Sequence, residues 1–411
     1  MRQQEIIPHL FRTEYRKIVS VLCRRFGFDQ VEIAEDIASD TFLTAAQTWG
    51  IGGLPENPVA WLYVVARNNA RNYLQRNSVF QKKIVPEYKN GQTGEESADI
   101  DLSPQNITDS QLQMMFTICN PAISPEAQVG LSLRILCGFG IQEIAEAFLT
   151  NAETINKRLF RAREKLREEN IRIEMPAEAD LEERLETVLT TIYLLFNEGY
   201  YSTSQDSIIR KDLCLEAMRL CNMLIENPST NKPSVNALLA LMCFQASRFE
   251  ARFDMNGEPV LYEEQDIDLW NTELISRGSY FLNIASTGNK LSKYHLEANI
   301  AYWSTRKEDS AEKWNSVLHL YDVLLEKENS PVVALNRVYA LSKVRGKTIA
   351  IAEAEKLKMT GDRFYQSLLG ELYSGIDDEK AGKHFRQAIL LTKTESGKRA
   401  IQKRLERIES K

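Results

Sequence analysis

Two runs of cationic side chains are the residues whose types and spacing could do chemistry. From Arg67 to Lys83 the charges are Arg67, Arg71, Arg76, Lys82 and Lys83, with no acid among them. From Lys157 to Arg167 they are Lys157, Arg158, Arg161, Arg163, Lys165 and Arg167 against a single Glu164. Between the two runs, residues 84–151 carry Lys89 and Arg134 against nine carboxylates. The chemistry on offer is phosphate binding, since clustered Lys and Arg raise the local concentration of anions. A net charge of −6 over 411 residues argues, taken alone, against a nucleic-acid binder. That average conceals two basic patches flanking an acidic stretch.

Catalytic chemistry finds little support. Gly346-Lys347-Thr348 resembles the end of a phosphate-binding loop, but the glycine that should stand five positions earlier is Leu341. His9, His295, His319 and His384 are isolated from one another, without paired metal-ligand spacing. The six cysteines are scattered with no Cys-x-x-Cys pair, which reads as packing rather than as a disulfide framework or zinc site. Ser residues lack a nucleophile-elbow context, and Glu263-Glu264 is too common a pairing to mark an acid/base couple. We therefore expect no enzyme, no metal and no cofactor.

Helices must position the cations, and the fold class expected is all-α. Leu10, Phe11, Tyr15, Ile18, Val19, Leu22 and Phe26 form one apolar stripe at three- and four-residue intervals; Val31, Ala34, Ile37, Ala38, Thr41, Phe42, Ala45 and Trp49 form a second. Asn57-Pro58 starts a third helix, with Asn as cap and Pro at its first position. These make a helical domain over 1–83. A polar, acidic, Gly-containing connector over 84–107 follows, and a second helical unit over 108–172. Inside it Ile141, Ile144, Ala145 and Phe148 define a short helix, Leu149 to Asn151 a turn, and Ile155, Leu159, Ala162 and Leu166 the inner face of another helix. Its outer face is Thr154, Asn156, Lys157, Arg158 and Arg161. Two readings of this segment stay open: a DNA-binding helix-turn-helix, or a helical hairpin with a solvated basic face. From 173 to 411 helices continue, and Tyr365, Leu368, Leu372, Ala381, Phe385 and Ala388 follow a tetratricopeptide register, which predicts a degenerate helical-repeat domain.

Asp36-Ile-Ala-Ser-Asp40-Thr-Phe42 with Trp49, followed by Asn57-Pro-Val-Ala-Trp61 and Arg67-Asn-Asn-Ala-Arg71-Asn72-Tyr73, resembles region 2 of the bacterial extracytoplasmic-function sigma factors. Ser124-Pro-Glu-Ala through Arg163-Glu-Lys-Leu166 resembles their region 4. Leu194-Leu-Phe-Asn197-Glu-Gly-Tyr200, Asp212 to Ala217, Glu264-Gln-Asp266 with Trp270, and Ser330-Pro to Arg337 are similar to the group with a long tetratricopeptide-like extension. The resemblance implies promoter recognition and transcription initiation, with core RNA polymerase and promoter DNA as partners. Asp36, Ser39, Asp40 and Phe42 would then meet core polymerase. Arg67, Asn68, Asn69, Arg71, Asn72, Tyr73 and Arg76 would grip the minus-ten element: Arg neutralises phosphate, Asn reads a base edge and Tyr stacks on an unpaired base. Thr154, Asn156, Lys157, Arg158, Arg161 and Arg163 would serve the minus-thirty-five element, with Lys165 and Arg167 toward phosphates or solvent. Asn197, Glu198, Tyr200, Asp266 and Trp270 are candidates for contact between the extension and the sigma regions, or else for helix caps and repeat core.

A different class remains open: a one-component helix-turn-helix regulator whose repeats bind a ligand or peptide. A third is a scaffold whose basic patches are incidental. No apolar run reaches membrane-spanning length and residues 1–10 lack a signal-peptide core, so a cytoplasmic protein without membrane contact is expected.

Overall fold

The computed structural model describes residues 3–84, 100–200, 209–255 and 258–410, with side chains from residue 6 and, in the third helix, up to Arg76. The protein is all-α: eighteen α-helices occur among the described residues, with one isolated antiparallel bridge between Phe253 and Pro259. Two units divide the chain, residues 1–194 and 195–411.

The first unit contains α1 (Gln3–Phe26), α2 (Val31–Gly52), α3 (Pro58–Ile84), α4 (Pro104–Ile118), α5 (Pro125–Leu131), α6 (Ile141–Ala147), α7 (Ala152–Glu168) and most of α8 (Leu181–Tyr200). Both apolar stripes read from the sequence turn inward: Tyr15, Ile18, Val19 and Leu22 of α1 and Val31, Ala34, Ala38 and Ala45 of α2 are buried. Asn57 caps α3, its Oδ1 accepting from the Ala60 N–H at 3.0 Å. After α5 the backbone widens into a π turn over Ser132–Leu136. Leu133, Ile135 and Leu136 are all buried there, a spacing that no single face of a straight α-helix provides.

Residues 85–99 of the expected connector lie outside the described residues. Its last part is structured: Ile100 and Leu102 are buried, and α4 starts at Pro104 rather than near Thr108. The Ser103 hydroxyl, accepting from Asn106 N–H, provides the cap, and Pro104 supplies a preset first residue. The first unit also runs past Arg172, where the sequence suggested a division. Thr191 Oγ1 donates to the buried Gln128 Oε1 at 2.7 Å, and Arg184 donates to the Phe116 carbonyl. These bonds fasten the first part of α8 to the preceding helices.

The second unit contains the end of α8, then α9 (Lys211–Glu226), α10 (Pro233–Ala246), α11 (Thr272–Ala285), α12 (Lys293–Ser304), α13 (Ala311–Lys327), α14 (Pro331–Arg345), α15 (Lys347–Leu357), α16 (Arg363–Tyr373), α17 (Asp378–Leu391) and α18 (Glu395–Glu409). From α9 onward each helix packs on the next. Two pairs use the same device. A Cβ on Gly278 of α11 would stand 2.7 Å from the Phe244 ring of α10, and one on Gly370 of α16 would stand 2.7 Å from the Phe385 ring of α17. Gly370→Ala is therefore expected to overpack the α16–α17 contact and cost about 1 to 3 kcal/mol, read as a lower urea midpoint.

His295 of α12 is buried between two backbone partners. Its Nδ1 accepts from the Ser292 N–H at 3.1 Å and its Nε2 lies 3.2 Å from the Ala285 carbonyl, an arrangement satisfied by the neutral ring. Burial holds His295 below the ordinary value of 6.5, and burial does the same for His384 of α17. The unfolded chain thus takes up protons first as pH falls below 6.5, so stability present at neutral pH is lost on acidification. Urea midpoints at pH 7.5 and 5.5 test this; the His295→Gln, His384→Gln double variant should show a smaller difference.

Candidate nucleic-acid interface

The first candidate surface is built on α3. Leu62, Ala66 and Ala70 repeat every fourth residue and are fully buried, which turns the intervening polar positions outward. Asn68, Arg71, Asn72 and Arg76 are exposed, while Arg67, Asn69 and Tyr73 are half-buried. Arg67 Nε donates to the Ile100 carbonyl at 3.0 Å. Tyr73 Oη donates to Gln30 Oε1 at 3.1 Å, with its ring 5.7 Å from that of Phe26. Two of the seven expected residues are thereby held by the protein itself. At about 1.5 Å per residue, Arg67 to Arg76 spans roughly 13 Å, the length of about four nucleotides of one strand. The side chains of Lys82 and Lys83 lie outside the described residues.

On α2, Asp36, Ser39 and Asp40 share one exposed face at intervals of three and four. Phe42 does not belong with them. It is 4% exposed, with its ring 5.1 Å from Phe11 and 6.4 Å from Tyr15. This corrects its assignment to a partner-binding surface, because its position continues the buried Ala34–Ala38–Thr41 stripe.

The second surface is α7, preceded by α6 and a turn in which Leu149 takes a left-handed conformation with φ 48°. Asn151 Oδ1 caps α7 by accepting from the Thr154 N–H at 2.8 Å. Ile155, Leu159, Ala162 and Leu166 are buried, as their spacing predicts. Close approach to α5 is possible because residue 130 is Gly: a Cβ there would come within 3.0 Å of Leu159. Thr154, Asn156, Lys157 and Arg161 are exposed; Arg158 is half-buried over the Phe148 ring at 5.3 Å. Lys157 forms an exposed pair with Glu153 at 2.6 Å, of the kind that contributes little and exchanges readily.

Arg163 and Arg167 are placed differently from the expectation. The Arg163 side chain is 12% exposed, with Nη2 3.0 Å from Glu35 Oε2 and Nη1 3.4 Å from Glu32 Oε1. Arg134 of the π turn binds the other oxygen of Glu35 at 2.7 Å. Arg167 meets Glu32 at 2.5 Å and Glu164 at 2.6 Å. A largely buried carboxylate of α2 therefore joins α7 to the π turn, and both arginines are taken by acids rather than offered to phosphates. One residue passed over in the sequence is Phe160, an aromatic 61% exposed between the basic positions of α7. Its signal was an apolar side chain one position outside the inward spacing.

Of the extension candidates, Tyr200 is buried, stacked 5.5 Å from Phe196 with the Arg252 guanidinium 4.1 Å from its ring. Glu198 is half-buried, and burial pushes its carboxyl up from the usual range. Asn197 Oδ1 is buried with no hydrogen-bond partner among the described residues. Asp266 is exposed and caps a short turn by accepting from the Asp268 N–H at 3.0 Å. Trp270 is buried beside Tyr262, ring centroids 6.3 Å apart. Tyr200 and Trp270 are thus core-filling residues, each faced by an arginine of the 248–252 turn.

Comparison with known proteins defines the class. Residues 10–79, covering the acidic face of α2 and the polar face of α3, match Sigma-70 region 2, and residues 184–286 match a family of unknown function (DUF6596). The protein is sigma-70-like at its amino-terminal end, with a second domain of unknown function downstream. It belongs to the family of the uncharacterized protein R00370 of Rhizobium meliloti (strain 1021), with 32% identity over 387 residues, 93% of this chain and 91% of that protein. It is also similar to the ECF RNA polymerase sigma-E factor of Haemophilus influenzae, at 28% identity over 107 residues, 25% of this chain and 57% of that protein. Among the described residues no helix is long and apolar enough to cross a membrane.

Proposed function

We propose that this protein is a cytoplasmic sigma factor of the extracytoplasmic-function kind, which directs core RNA polymerase to promoters, and that its second unit is a tetratricopeptide-like extension modulating that activity. The observation that carries the reading is the exposed Asn68–Arg71–Asn72–Arg76 face of α3 inside the region 2 match. Arginines there neutralise backbone phosphate, and the asparagines offer paired donors and acceptors to base edges. Asp36, Ser39 and Asp40 present a polar, acidic face suited to a basic surface of the polymerase. On α7 the duplex-reading set is Thr154, Asn156, Lys157, Arg158 and Arg161. Phe160 joins them as an apolar contact of the kind made with a thymine methyl. Arg163 leaves the set, since its side chain is only 12% exposed and is already held by Glu35 and Glu32. The chain performs no covalent step; it contributes binding energy, and capture of unpaired bases offsets part of the stacking lost as the duplex opens.

Co-purification with core polymerase followed by run-off transcription tests this. Core binding with initiation at a defined start site is the expected result. Tight duplex binding without core would replace this reading by that of a stand-alone regulator. Within the complex, Asn156→Ala is expected to cost about 1 to 3 kcal/mol for the preferred upstream sequence and little for a scrambled one.

A further inference from the structure

The connection between α10 and α11 has two faces of opposite electrostatic character. On one, each carboxylate has cations: Glu258 meets Arg399 at 3.2 Å and Lys403 at 2.5 Å, and Glu264 meets Arg407 at 2.9 Å. On the other, cations crowd together. The Arg248 guanidinium lies 5.4 Å from the Tyr262 ring centroid and 6.0 Å from that of Trp270. Lys307 Nζ is 5.9 Å from the Trp270 ring and Lys313 Nζ 4.9 Å from the Tyr262 ring. Burial holds the Lys313 ammonium, only 3% exposed, below its ordinary range; Asp309 acts the other way, and Arg248, Lys343 and Lys307 add to the lowering.

Carboxylates do not balance this group. Glu263 is bound to Lys343 at 2.6 Å and to Tyr339, and Asp309 accepts from Trp314 Nε1. Four cations, Arg248, Lys307, Lys313 and Lys343, thus face two acids. Lys313 donates to Tyr262 Oη at 2.8 Å and to the Arg306 carbonyl at 2.5 Å, and Lys307 donates to the Gln265 carbonyl. Arg248 has no such acceptor among the described residues; its Nε is buried and unpaired. Two neighbours share that condition. Trp270, 7% exposed, has an unpaired Nε1, and Gln265, 6% exposed, has an unpaired Oε1. Buried donors and acceptors are ordinarily paired, and like charges gathered in a poorly solvated place repel.

We propose that this cluster binds a small organic oxyanion, a carboxylate or phosphate ester that also carries a hydroxyl. The oxyanion accepts from Arg248 and Trp270 amid the lysines, the hydroxyl donates to Gln265, and Tyr262 and Trp270 supply the apolar walls. The ligand is thereby selected by charge and by one donor, and its arrival relieves the repulsion around Lys313. The site includes Trp270 and Gln265, within the residues matching the family of unknown function, and gives that domain a sensing role.

The test is calorimetric titration and thermal unfolding of the full chain with citrate and, separately, glycerol 3-phosphate, each against sodium chloride of matched ionic strength. Saturable binding of at least one, with a raised Tm, is expected; citrate alone would mark a carboxylate ligand, glycerol 3-phosphate alone a phosphate ester. Arg248→Gln should weaken that binding at least 10-fold while leaving the anion-free Tm unchanged or higher, because a repelling charge is gone. Lys307→Gln, on the exposed rim, should weaken it less. The proposal fails if neither anion exceeds the salt control, if Arg248→Gln binds as the parent does, or if that variant lowers the anion-free Tm, the mark of a purely structural cation. No DNA or polymerase is used, so the result is independent of the transcription reading.

Discussion

Arg71→Ala combined with Arg76→Ala is expected to lower promoter-complex formation about 60-fold at 0.1 M salt, since each lost phosphate contact removes roughly 0.9 of a decade. The slope of log affinity against log salt should become shallower by about 2. Both side chains are exposed on α3, so thermal stability should change by no more than about 0.5 kcal/mol. That combination separates a binding defect from a folding defect. A solvated helix face with no DNA role predicts the opposite pattern: run-off transcript yield and salt slope would both match the parent. Arg67→Ala is a less clean probe, because its Nε also holds the Ile100 carbonyl.

Glu35→Ala should have the largest effect on stability of any single substitution considered for the first unit. Its carboxylate, 10% exposed, is the shared partner of Arg134 and Arg163, whose side chains are 23% and 12% exposed. Removing it leaves the Arg134 guanidinium without a carboxylate and Arg163 with only the longer Glu32 contact, in a poorly solvated place. Truncating one member of a buried ionic group costs about 3 to 5 kcal/mol. For a unit of this size that corresponds to a fall in Tm of about 6 to 20 °C. Apolar replacement of all three residues, Glu35→Met with Arg134→Leu and Arg163→Met, should recover most of the loss, because no charge is then left unpaired. A denaturant series on the single, double and triple variants checks this, and a Glu35→Ala midpoint equal to the parent's would show that the three side chains are independently solvated.

Much of the helical architecture was legible because amphipathic periodicity is a local property. The stripes of α1 and α2, the Asn57 and Asn151 caps, and the inward set Ile155, Leu159, Ala162 and Leu166 depend only on residues a few positions apart. The exposed polar face of α7 follows as the complement of its inward set, whereas that of α3 became visible only with the buried Leu62–Ala66–Ala70 spacing. Phe42 failed the same test in the opposite direction: a motif placed it on a binding surface, while its own stripe placed it in the core.

Pairings between residues distant in the chain were not legible. Glu35 joins Arg134 and Arg163 across sequence separations of 99 and 128 residues. Read locally, those arginines belonged to different stretches, and Arg163 looked like one more member of a basic patch. Charge alone cannot say which cations face water and which are consumed by an acid, since that depends on which helices meet. Gly278 and Gly370 are similar cases: each lies inside a helix, and its role is visible only where a phenylalanine from the neighbouring helix fills the space it leaves. The sequence by itself determined that this protein is helical and where the polar face of α7 lies. Only the tertiary structure decided which charges remain available, because burial and pairing are properties of surfaces brought together from separate parts of the chain.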